Sequence, residues 1–202
     1  MSALRIDGTR PLTEATIRAV NDFCAAVEDA SGLAVVRVSG AARWANGPGT
    51  RLLTGWERAL HRMERLPAPT VALATGDVGG VALDALLATD LRIAAVNARL
   101  FVGPDVMPLH RIARRARTIR AWVLSRGPVD AAAACAGGLI DEVTDAPEAA
   151  LVALARTATG IAGQELAIRR QLLTDASRRS FEDALDSHLA ACDRALRREV
   201  AS

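Results

Sequence analysis

The feature that most constrains the fold of this chain lies between Thr70 and Ala95, where a short apolar run, TVALAT, meets a glycine-rich GDVGG, a helix-forming segment and a second apolar run. An apolar run with β-branched residues and no polar alternation fits a strand covered on both faces. Leu83 to Ala88 has helix-forming composition, and Asp90 precedes the second strand, Leu91 to Ala95. The glycines between Gly76 and Gly80 therefore fall on a strand-to-helix turn, where they permit positive φ and close backbone approach. Because the first N–H groups of a helix lack acceptors within it, this turn offers donors to an anion or a developing oxyanion. Asp84 brings a carboxylate to the same place.

Alternation of this kind runs through most of the chain. A short strand near Leu4 to Ile6 leads to a helix capped by Thr13, with Ile17, Val20, Cys24 and Val27 on one face. The strand Leu33 to Ser39 follows, then a helix from about Arg51 to Arg65, ended by Pro67 and Pro69. Strands and helices keep alternating to Val143, the pattern of parallel crossover units in an α/β fold. After Pro147 only helical patterns remain. Two regions are expected: an α/β core over 1–145 and a C-terminal helical region over 146–202 with a role in oligomerisation. In the last helix Phe181, Leu185, His188, Leu189, Cys192 and Leu196 form an apolar stripe that fits either core packing or a subunit contact.

Composition excludes several function classes. With 202 residues and 50% hydrophobic content the chain can bury a substantial core, and a net charge of +2 gives no argument for nucleic acid. There is no lysine, so no catalytic role falls to one. Cys24, Cys135 and Cys192 are isolated, without a C-x-x-C pair, which fits a reduced cytoplasm better than a disulfide scaffold or a zinc site. No charged-then-apolar leader and no apolar run near the roughly 20 residues of a membrane span are present, so a cytoplasmic protein without membrane attachment is expected.

Residue types and spacing resemble the crotonase (enoyl-CoA hydratase/isomerase) superfamily, whose pattern at this turn is N-G-x-x-x-G-G-G-x-E-L-x-x-x-x-D. The chain has Thr75-Gly76, Gly80-Val81-Ala82, Asp84 and Asp90 at those places. The resemblance implies an α/β fold with a crotonase-like ββα superhelix core, an oxyanion hole at Gly80 and Val81 with the Val81 N–H as one donor, and Asp84 at a catalytic glutamate position. The family's F-x-A-G-x-D loop is matched by Trp44-Ala45-Asn46-Gly47, which puts Asn46 at the second donor position and Gly47 beside the substrate, with Gly49 in place of the usual aspartate. NARLFVGPDVM resembles A-x-F-G-x-P-E and places Asp105 at the second catalytic acid. Gly127 to Val143 resembles the segment joining a helix to the final strand. The chain departs from the pattern in its glycines, in having aspartate at both acid positions, and in nearly lacking the glycine-rich pocket loop after the second acid.

Within the superfamily the compact layout most resembles the DpgB-type proteins of dihydroxyphenylglycine biosynthesis. That implies dehydration and aromatisation toward 3,5-dihydroxyphenylacetyl-CoA in antibiotic biosynthesis, beside a type III polyketide synthase and a sister crotonase, in a homotrimer or hexamer. Acyl-CoA or a polyketide thioester would be the substrate, and no cofactor or metal is implied.

Each candidate also has a structural explanation. A carboxylate in a first helical turn is favoured by the macrodipole alone, which also favours its ionised form and so a base rather than an acid. Asp105 follows Pro104, where aspartate serves as a turn former, and His110 near it is a candidate proton donor or substrate contact. Arg111, Arg114, Arg115, Arg117 and Arg120 fit either CoA phosphates or a solvated helix face, as Arg43 and Arg51 fit either phosphate contacts or plain surface. The functional alternatives are an acyl-thioester lyase and a non-catalytic helper of a polyketide synthase. Nucleotide binding ranks below both, since the spacing is neither G-x-G-x-x-G nor a Walker loop.

Overall fold

The computed structural model describes residues 2–29, 32–42, 49–102, 111, 127–157 and 163–176. Its centre is a parallel sheet in the order β1-β2-β3-β4-β7, formed by Ser2–Asp7, Ala34–Gly40, Thr70–Val78, Leu91–Ala95 and Glu142–Thr144. Two short strands, β5 (Arg99–Leu100) and β6 (Val129–Asp130), pair antiparallel with each other, and β5 joins the sheet through β3.

The helices are α1 (Glu14–Glu28), α2 (Thr50–Met63), α3 (Val81–Leu87), α4 (Ala131–Ala136), α5 (Pro147–Thr157) and α6 (Gly163–Ala176). Thr13 caps α1 as expected, its side chain accepting from the Thr16 N–H at 3.2 Å. The buried face of α1 is Ile17, Val20, Cys24 and Val27, joined by Phe23. These meet Trp56, Ala59, Leu60 and Met63 of α2 in the larger core, which also takes in all of α3. The other face of the sheet carries Leu33, Val35, Val71, Leu73 and Ile93, covered by Leu151 of α5. Within the C-terminal region α5 thus lies directly on the core sheet, and the apolar stripe from Phe181 to Leu196 lies outside the described residues.

β3 runs longer than the apolar run that announces it. It continues through Gly76 to Val78 because Gly76, at φ 61°, lets the strand bend without ending. Its first half pairs with β4 and its last residues, Asp77 and Val78, pair with Arg99 and Leu100 of β5. An Arg99–Asp77 ion pair, with N–O distances of 2.7 and 2.9 Å, fixes that register.

Asp90, the last acid of the glycine-turn pattern, is structural. It accepts from the Thr70 N–H at 2.8 Å and the Thr70 hydroxyl at 2.9 Å, and it pairs with Arg170 of α6. Arg170 also donates to the Leu66 and Ala68 carbonyls, so one guanidinium ties α6 to the start of β3.

Candidate active site

Three strand ends converge on the glycine turn. Gly79 donates to the Gly40 carbonyl at 3.0 Å, and Gly8, just past β1, donates to the Ser39 carbonyl at 2.8 Å. A Cβ on Gly8 would lie 2.2 Å from the Gly40 oxygen and 2.4 Å from the Gly79 oxygen, and one on Gly79 would lie 2.9 Å from the Ala41 Cβ. Backbone therefore packs on backbone, and the loop leaving β2 at Ala41 starts against the turn that opens α3.

Gly80 then adopts φ 52° and ψ −131°, a region side chains disfavour, and directs the chain into α3. The Ala82 and Leu83 N–H groups turn back to the Gly79 carbonyl at 3.1 and 3.5 Å, and Asp84 N–H donates to Gly80 at 3.0 Å. Among the described residues nothing accepts from the Val81 N–H. Asn46, the expected second donor, lies outside the described residues, as do Arg43, Gly47, Asp105 and His110.

Asp84 sits one helical turn beyond Val81, on the same face of α3. Only 6% exposed, it turns its carboxyl toward α2, where Oδ2 accepts from the Trp56 Nε1–H at 3.0 Å. Burial pushes its pKa up to about 7, Glu57 adding to the rise while the Trp56 hydrogen bond and the Arg111 charge oppose it. The helix dipole alone would keep this group ionised. The dipole is worth roughly 1 kcal/mol at a helix end, and desolvation of a buried carboxylate outweighs it. Oδ1 accepts nothing from the described residues.

Arg111 completes the surroundings. Its Nε donates to Glu64 at 2.8 Å and a terminal nitrogen donates to both oxygens of Glu57, at 2.9 and 3.2 Å. Only 2% exposed, it is neither a solvated face nor a phosphate contact, which corrects both sequence readings of this residue. Arg114, Arg115, Arg117 and Arg120 lie outside the described residues. Arg51 is exposed and pairs with Glu14 at 2.9 Å. The sequence reading missed Trp56, Glu57 and Glu64: the apolar spacing of α2 marks Trp56 as buried, but nothing local pairs it with an acid 28 positions away. Among the described residues no group of three or more His, Cys, Asp or Glu side chains converges as a metal site requires.

A bent β3, a glycine turn and a short helix carrying a buried acid are the arrangement of the crotonase fold, and solved structures bear this out. An enoyl-CoA hydratase from Mycobacterium smegmatis superposes with a TM-score of 0.78 at 17% identity, covering 96% of this chain and 87% of its own. An enoyl-CoA hydratase/isomerase family protein from Silicibacter pomeroyi gives 0.78 at 21% identity, covering 96% and 95%. A Thermobifida fusca protein of enoyl-CoA hydratase type, solved in complex with CoA, gives 0.79 at 17% identity, covering 100% and 92%.

Sequence carries the assignment from fold to family. A protein of Amycolatopsis orientalis named enoyl-CoA-hydratase is 42% identical over 211 residues, spanning 98% of this chain and 97% of its own length. The chain belongs to the enoyl-CoA hydratase (crotonase) superfamily. No protein-family model matches it.

Proposed function

We propose that the chain is an enoyl-CoA hydratase-like lyase that interconverts a 3-hydroxyacyl thioester and its α,β-unsaturated product at the β3–α3 turn. The observation that carries this is the Val81 N–H, without an acceptor among the described residues, one helical turn from a buried carboxyl, Asp84, whose pKa is pushed up to about 7. Full-length identity to an enoyl-CoA-hydratase supports the same chemistry.

In dehydration the Cα–H bond breaks and its proton passes to a carboxylate. The electron pair closes the C=C bond as the Cβ–O bond breaks, and the departing hydroxide takes a proton and leaves as water. Negative charge builds meanwhile on the thioester oxygen, which Val81 N–H and the proposed second donor Asn46 would hold. Removing one such donor typically slows a reaction by about a hundredfold or more. A carboxyl titrating near 7 holds both protonation states at neutral pH, so Asp84 Oδ1 can give a proton to the leaving hydroxyl and take it back from water in hydration. Asp105 is the proposed partner acid, and Arg43, Gly47 and His110 are proposed substrate contacts.

The finer proposal follows the DpgB-type resemblance: dehydration and aromatisation of a cyclised polyketide thioester toward 3,5-dihydroxyphenylacetyl-CoA. A type III polyketide synthase would supply the thioester, with a sister crotonase alongside and a cytoplasmic trimer or hexamer as the working assembly. A helper role draws on one observation, since an acid held by Trp56 in a buried interface is also what a purely structural acid requires.

Turnover separates the two. Purified protein incubated with a 3-hydroxyacyl-CoA should dehydrate it, and Asp84→Asn, whose carbonyl can still accept from Trp56, should lose at least about a hundredfold in kcat while still binding CoA. No thioester turnover, together with stimulation of the synthase that survives Asp84→Asn, would establish the helper in place of the lyase.

A further inference from the structure

We propose that Trp56 is the positioning residue of Asp84: its indole N–H, 3.0 Å from Oδ2, fixes the carboxyl so that Oδ1 alone exchanges protons with the substrate. This holds given that Asp84 is the proton-transfer group, as proposed above.

The indole is immobile. Trp56 is 1% exposed and lies in the buried face of α2 with Ala59, Leu60 and Met63, so it cannot swing away from α3. An indole nitrogen only donates. A carbonyl oxygen accepts more strongly than the hydroxyl oxygen of a carboxylic acid, so when Asp84 is protonated the Trp56 N–H favours Oδ2 as the carbonyl and the proton on Oδ1. The same oxygen is thus the acid's O–H in one direction and the base's lone pair in the other, with no rotation of the carboxyl between them.

Among the described residues the charges facing Asp84 are few. Glu57, next to Trp56 on α2, and Arg111 act on it, and Arg111 is itself held by Glu57 and Glu64. α3 also packs on β1, β2 and β3, whose charged side chains are engaged elsewhere or exposed. Asp7 accepts from Thr9, Arg37 pairs with Glu148, Asp77 pairs with Arg99, and Arg5 faces solvent. Trp56 is the one side chain among the described residues that hydrogen-bonds to Asp84.

Two variants of the full chain test this: Trp56→Phe, and replacement of Trp56 by 3-benzothienylalanine, which keeps the bicyclic shape and puts sulfur in place of N–H. The Asp84 carboxyl is followed by carbon NMR against pH, and kcat and KM for a 3-hydroxyacyl-CoA are measured across the same range. Losing a hydrogen bond that favours the charged form should raise the Asp84 midpoint by about one pH unit. The limb of the kcat profile that Asp84 governs should move with it, and kcat should fall about tenfold at unchanged KM. A merely structural tryptophan would lower thermal stability and shift the midpoint, but leave the maximal kcat of the shifted profile unchanged. An unchanged maximal kcat in the sulfur variant, with Asp84→Asn inactive, overturns the positioning role alone. Wild-type turnover by Asp84→Asn overturns the proton-transfer role of Asp84 and the positioning role with it.

Discussion

Asp84 carries two opposing demands, since a carboxyl useful near neutrality is one that burial has made costly to ionise. Its raised pKa ties the stability of the fold to pH with a definite sign. The folded protein binds the proton more tightly than the unfolded chain, so this stabilisation is fully present below the unfolded value near 3.8 and is lost as pH rises to about 7. Asp84→Asn has no such proton, and its Tm should gain on wild type steadily between about pH 4 and pH 7, then hold a constant lead. Parallel melting curves across that range check it; a gap that stays flat would mean the carboxyl is not desolvated. Arg111 works in the reverse sense, as a buried cation satisfied by two glutamates. Arg111→Ala leaves Glu57 and Glu64 in a partly buried site without their partner, and urea titration should record a loss of about 3 kcal/mol.

At the scale of elements, the turn is built by where backbones touch. Gly8, Gly40 and Gly79 end or follow three neighbouring strands, and the contact leaves no room for a Cβ at Gly8. Gly8→Ala should destabilise by about 3 kcal/mol or more, the obstacles being backbone oxygens that cannot rotate away, and denaturant unfolding checks it. Strand and helix periodicity made β2, β3, β4, α1 and α2 legible in the sequence, within a few residues at their ends. Two parts of this region were not legible. The extension of β3 past Thr75 depends on a bend at Gly76 and on pairing with β5, and nothing in a local window distinguishes that from the expected turn. The Asp84–Trp56 bond joins helices from different crossover units, and only their packing on one face of the sheet brings it about.

For the whole molecule, a parallel sheet with helices on both faces puts the donor-bearing turn at the ends of its central strands. Ordered agreement along much of the chain, from the strand at Leu33 to Val143, made the superfamily legible where any single loop would not. Of the candidate site, the sequence placed Val81 and Asp84 at the start of a helix after the glycines, and they lie there, whereas the raised pKa of Asp84 and the burial of Arg111 come from packing between distant segments. Described helices include none long and apolar enough to cross a membrane. The most direct measurement is a crystal structure of the complex with a non-reactive 3-hydroxyacyl-CoA analogue. The carbonyl oxygen should lie about 3 Å from the Val81 nitrogen, with the 3-hydroxyl within hydrogen-bonding reach of Asp84 Oδ1. An analogue seated elsewhere, or a carbonyl turned from Val81 with Asp84 sealed off behind Trp56, would contradict the proposed lyase.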